Sequence, residues 1–60
     1  MKKYEGKKVF IRTNNQRTYS GVVKEVADVG DNTIFISLML MTGFWATFSM
    51  NEIAEIREEK

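Results

Sequence analysis

From Lys7 to Glu58 apolar residues recur at every second position in short runs, and polar clusters separate the runs. In Lys7 to Thr13, Val9 and Ile11 fall on one face and Lys8, Phe10 and Arg12 on the other, the period-two signature of a strand. Asn14-Asn15-Gln16-Arg17 predicts a turn, because Asn accepts left-handed backbone angles and hydrogen-bonds its own chain. Thr18 to Val29 predicts a long second strand with Tyr19, Gly21 and Val23 on one face. The apolar phase then slips, since Val26 follows Val23 by three residues. A β-bulge near Lys24-Glu25 absorbs that slip and bends the strand. Gly21 is placed for close backbone approach where the sheet curls.

Gly30-Asp31-Asn32 is the clearest turn signal, followed by a third strand over Thr33 to Met41. Thr42-Gly43 predicts a tight hairpin into a fourth strand over Phe44 to Ser49. Met50-Asn51-Glu52 is too short to hold itself as a helix and predicts a single 3₁₀ turn. Ile53 to Glu58 predicts a fifth strand, with Ile53 and either Ala54 or Ile56 reaching the core. Helix is the competing reading of 51 to 60, where Ile53 and Ile56 stand three apart among good helix formers. Strand is preferred, because ten residues make a marginal helix and a bent sheet without a fifth strand leaves an unpaired edge. The expected fold is all-β: a small five-stranded, strongly bent antiparallel barrel. It forms one domain over 1–60, with 1–6 and 58–60 frayed.

Strands three and four depart from simple alternation. Ile34, Ile36, Leu38 and Leu40 suit a core, but the opposite face carries Phe35, Met39 and Met41, interrupted by Ser37. The fourth strand repeats this, with Phe44, Ala46 and Phe48 on one face and Trp45 and Thr47 on the other. A half-buried antiparallel strand is polar on its outer face, so a second apolar face implies a cover. Phe35, Met39, Met41 and Trp45 are therefore the candidate interface residues, with Met as an adaptable contact and Trp as an anchor. The alternative is that the N-terminal segment, with Tyr4 and Phe10, folds over this patch. Only about eight residues are available for that lid, and four of them are Lys.

Composition narrows the chemistry. Sixty residues is near the lower limit for a self-sufficient core, since such a domain buries only about 60% of its unfolded surface. No Cys or His is present to supply a disulfide or a structural zinc. The same absence removes the usual general base near neutral pH and the most reactive nucleophile. Ser20, Ser37 and Ser49 lack an activating motif, and Asp28-x-x-Asp31-Asn32 offers too few oxygens for calcium. The expectation is no enzyme, no cofactor and no metal. No run approaches the roughly 20 apolar residues of a membrane span. Met1-Lys2-Lys3-Tyr4-Glu5-Gly6-Lys7-Lys8 puts charge where a signal peptide is apolar, so a cytoplasmic location is expected.

The net charge of +1 conceals an asymmetry. Residues 1 to 24 hold seven cations against Glu5, a balance of +6, and residues 25 to 60 hold two cations against seven carboxylates, a balance of −5. Such a split marks either a nucleic-acid or partner surface or two halves that meet across neighbouring strands.

These runs resemble the Sm-like and Src-homology-3-like small barrels over roughly residues 6 to 57. The likeness rests on Val9-x-Ile11, a polar turn, Arg17-x-Tyr19-x-Gly21-x-Val23, Asp28, Asn32, a hairpin, and Phe48 with Ile53-x-x-Ile56 across one turn. Asn32 stands eleven residues after Gly21, one more than is usual in Sm-like chains, and their second motif is reduced to Ile56-Arg57-Glu58. The resemblance implies RNA-binding loops and subunits joined in rings by pairing of the fourth and fifth strands. Two functions are therefore expected. One is binding of RNA or single-stranded DNA by an oligomer, with Lys7, Lys8, Arg12, Arg17 and Lys24 on phosphates and Phe10 and Asn32 on bases. The other is a protein-interaction or assembly module, most simply a homo-oligomer, docking through the apolar face of strands three and four.

Overall fold

Alternation becomes strands wherever one face finds a core. The computed structural model describes residues 2–59. Five strands, β1 (Lys8–Thr13), β2 (Thr18–Gly30), β3 (Thr33–Leu40), β4 (Trp45–Ser49) and β5 (Ile53–Glu58), are joined by turns and flanked by 3₁₀ turns at Lys2–Tyr4 and Met50–Glu52. They form one antiparallel sheet in the order β4-β3-β2-β1-β5. β4 and β5 lie at opposite ends of that order and do not pair, so the sheet is bent without being closed.

The bend comes from β2. Val23 pairs with Leu38 and Glu25 with Ser37, leaving Lys24 as the extra residue of a bulge. This restores the inward phase, and Val23 and Val26 are both buried. Gly21 lies between Val9 of β1 and Leu40 of β3, so closely that a Cβ there would meet the Met39 carbonyl oxygen and stand 3.0 Å from the Leu40 Cα. Val9, Ile11, Ile36 and Leu38 are fully buried in the concave core, which Phe48 completes from β4. Tyr19 tilts against Phe48 with ring centroids 4.9 Å apart. Ile53 and Ile56 are the β5 residues that reach this core, while Ala54 is exposed. Gly43, at φ +94°, supplies the left-handed residue of the β3–β4 hairpin, and the Leu40 amide donates across it to the Phe44 carbonyl at 2.8 Å.

Both ends of the described chain make hydrogen bonds to the sheet. Gly6 N–H donates to the Val23 carbonyl at 2.9 Å, Val26 N–H donates to Glu5 Oε2 at 3.2 Å, and Tyr4 packs on the core. At the other end, Glu59 N–H donates to the Lys8 carbonyl at 2.8 Å. Residues 1 and 60 lie outside the described residues.

Candidate functional site

Strand register fixes which side chains share the convex outer face. One row runs Trp45, Met39, Val22, Lys8 across β4, β3, β2 and β1. A second runs Ser49, Phe35, Ala27, and between them Thr47 and Ser37 join hydroxyl to hydroxyl at 3.1 Å. Trp45 is 59% exposed, while Phe35 and Met39 are half-buried by their strand neighbours. Met41 lies just past the end of β3 and is 66% exposed, with Phe44 at 72% across the same hairpin. The structure thus brings Phe35, Met39 and Trp45 together on one face and leaves Met41 at its rim.

The N-terminal segment does not cover this face. Its hydrogen bonds to Val23 and Val26 turn it around the bulge of β2, which sends Tyr4 to the concave core. Phe10 is on the outer face but two strands away from Met39, and the Arg57 guanidinium lies over its ring at 4.6 Å. That cation–π contact joins residues distant in sequence, and no local spacing signals it.

The basic residues disperse. Arg12 meets Glu55 at 3.4 Å and Lys7 meets Glu58 at 3.7 Å, because β5 pairs directly with β1. Glu55 also takes Arg57 at 3.3 Å. All of these groups are substantially exposed, so the pairs contribute little to stability. They do place carboxylates beside the proposed phosphate contacts. Lys8 is exposed on the outer face, Lys24 in the bulge, and Arg17 after the β1–β2 turn. Asn32 is at the tip of the β2–β3 hairpin with φ 61°, beside Asp31 at φ 53°. That tip lies just past Gly30, the end of β2 and nine residues beyond Gly21, as much as about 30 Å at the usual rise of a strand. The set of Lys7, Lys8, Arg12, Arg17, Lys24, Phe10 and Asn32 therefore does not converge on one site.

One feature escapes the period-two reading. A cleft of about 290 Å³ opens between the β1–β2 turn and the 3₁₀ turn, floored by Tyr19 and Phe48 and edged by Asn15, Asn51 and Glu52. Its polar groups are largely engaged in clipping the two turns together. Asn14 donates its backbone N–H to the Glu52 carbonyl at 2.9 Å and its side-chain amide to the Asn51 carbonyl at 2.7 Å. Glu52 Oε1 accepts from the Ser49 amide and hydroxyl. Among the described residues no three acidic side chains gather as metal ligands, and no helix is long and apolar enough to cross a membrane.

Comparison with protein-family models, with curated proteins and with solved structures gives no match for this chain. The functional reading rests on its own residues.

Proposed function

We propose that the chain is a non-catalytic assembly and protein-interaction module that works through the outer face of β3 and β4. The observation that carries this is the position of Trp45, 59% exposed beside Met39 on the outer face that also carries Phe35. Indole surface left in water on a domain this small favours a partner, because burial of apolar area drives association. The Sm-like resemblance points the same way, since subunits of that family assemble strand to strand.

A second reading, binding of RNA or single-stranded DNA, is favoured by one arrangement: Phe10, Lys8 and Arg12 alternate on β1, with Arg57 over the Phe10 ring. Bases stack on such aromatic and guanidinium planes. The carboxylates of Glu55 and Glu58 among these cations weigh against it.

Sedimentation at micromolar concentration tests the assembly reading. Wild type is expected as an oligomer, and the double variant Met39→Lys, Trp45→Lys as a smaller, folded species by circular dichroism. A wild-type monomer, or a double variant that keeps the wild-type mass, would overturn it. RNA titration at low and moderate salt decides the second reading, since phosphate contacts weaken steeply with salt.

A further inference from the structure

We infer that the contact between copies is β4 against β4, a two-fold pair that runs two five-stranded sheets into one. The inference rests on the assembly reading and specifies the edge and symmetry it uses.

The two ends of the sheet differ in what they present. β4 is Trp-Ala-Thr-Phe-Ser, with no charge, no proline and no bulge within Trp45–Ser49. An edge of that kind is unguarded against another strand. β5 carries Glu55, Arg57 and Glu58, and all three are committed to ion pairs with one another, with Arg12 of β1 or with Lys7 just before it. Copying β4 onto itself brings no like charges together. Setting β4 against β5 would place Trp45 and its apolar neighbours beside the charged row of Glu55 and Arg57.

The backbone of β4 is set for this pairing. The Leu40 amide donates to the Phe44 carbonyl, so by antiparallel alternation residues 44, 46 and 48 bond inward to β3. Trp45, Thr47 and Ser49 then direct their backbone groups to the open edge. The Ser49 amide is taken by Glu52 Oε1 at 3.0 Å, and as the residue capping the Met50–Glu52 turn Ser49 commits its carbonyl to that turn. With Thr47 on the two-fold axis, Thr47 pairs with its own copy and Trp45 with Ser49 of the other chain. The outward amide of Thr47 in each chain then finds the Thr47 carbonyl of the other.

That register also matches surface to surface. Phe35 is the β3 neighbour of Ser49, so Trp45 of one copy joins a row with Ser49 and then Phe35 of the other, two inter-strand spacings or about 10 Å away. Phe44, one residue before Trp45, comes opposite Met50. Trp45 and Phe44 alone leave roughly 250 Å² of ring surface exposed per chain, from their exposures of 59% and 72% and ring burials of about 150–250 Å² each. Two copies therefore supply about 500 Å² before Met50, Phe35 and the strand backbone are added, against the roughly 1,200 Å² where stable interfaces begin.

The chain contains no Cys, so Thr47→Cys creates a single thiol on the proposed axis, in a strand pair whose Cα separation of about 5.5 Å suits a disulfide. Under mild diamide oxidation, Thr47→Cys is expected to form a covalent dimer at least tenfold faster than Asn51→Cys, an exposed thiol off the axis. Thr47→Pro removes an outward amide and spares the β3 ladder, and is expected to yield a folded monomer in sedimentation. An oligomer in which Thr47→Cys crosslinks no faster than Asn51→Cys would overturn β4 pairing and leave the assembly reading standing. A wild-type monomer at micromolar concentration would overturn both.

Discussion

Placing a single methyl group at Gly21 tests the fold at its tightest point. Gly21 is buried between β1 and β3, and the atoms that a Cβ would strike belong to the β3 backbone at Met39 and Leu40. A flexible side chain could rotate away, but a backbone held in a ladder on both sides moves only by breaking its pairs with Gly21 and Val22. Overpacking costs about 1–3 kcal/mol where side chains adjust, so Gly21→Ala is expected at the upper end, about 3 kcal/mol. A 60-residue domain has roughly 3–9 kcal/mol in total, so the variant is left close to its unfolding threshold. At about 4–8 °C per kcal/mol for a domain this small, the melting midpoint falls by roughly 12–24 °C. Gly6 is the control. It has φ +80° with nothing within 4 Å of a Cβ, so Gly6→Ala carries only the left-handed penalty of about 1–2 kcal/mol. Thermal and urea unfolding followed by circular dichroism, at matched protein concentration, reads both variants. Equal midpoints would show that β2 and β3 are not as close at Gly21 as described.

Two further variants test the local devices around the site. Glu5→Ala removes the acceptor of the buried Val26 amide and is expected to lower stability by about 1–3 kcal/mol. Glu5→Gln keeps an acceptor and is expected to restore most of that loss, so equal urea midpoints for the two would refute the bond's role in holding the N-terminal segment to the bulge. Asn32 has a left-handed backbone at φ 61°, so Asn32→Gly is expected to stay within about 0.5 kcal/mol of wild type while Asn32→Val loses about 1–2 kcal/mol. An Asn32→Gly variant that folds normally yet loses measurable RNA binding would show that the side chain contacts a base.

The strands were legible because each depends on a pattern only a few residues long. The three-residue step from Val23 to Val26 located the bulge, and the lone glycine among apolar neighbours located the close approach. The outer face of β3 and β4 was legible for the same reason, since alternation alone sorts Phe35, Met39 and Trp45 from Ile36 and Leu38. Turn chemistry was less so: in the β1–β2 turn the left-handed residue is Gln16, at φ 72°, and the neighbouring Asn14 and Asn15 use their side chains as clips instead. The bond from Asn14 to Asn51 spans 37 residues, beyond any local rule.

Charge was the feature most changed by topology. A basic first half and an acidic second half suggest two opposed surfaces only if the halves stay apart. The order β4-β3-β2-β1-β5 places the last strand against the first, so Lys7 and Arg12 meet Glu58 and Glu55 along one ladder. The same order leaves β4 at the far end of the sheet, away from every one of those charges. The bulge that bends β2 draws the N-terminal segment to the concave side, so Tyr4 adds to the core and cannot shield Trp45. An uncharged edge and an uncovered apolar face therefore share one cause: the strand order and the bend in β2 direct the chain's cations, carboxylates and N-terminal lid elsewhere. It is on this account that the outer face of β3 and β4, rather than the scattered cations, carries the functional proposal.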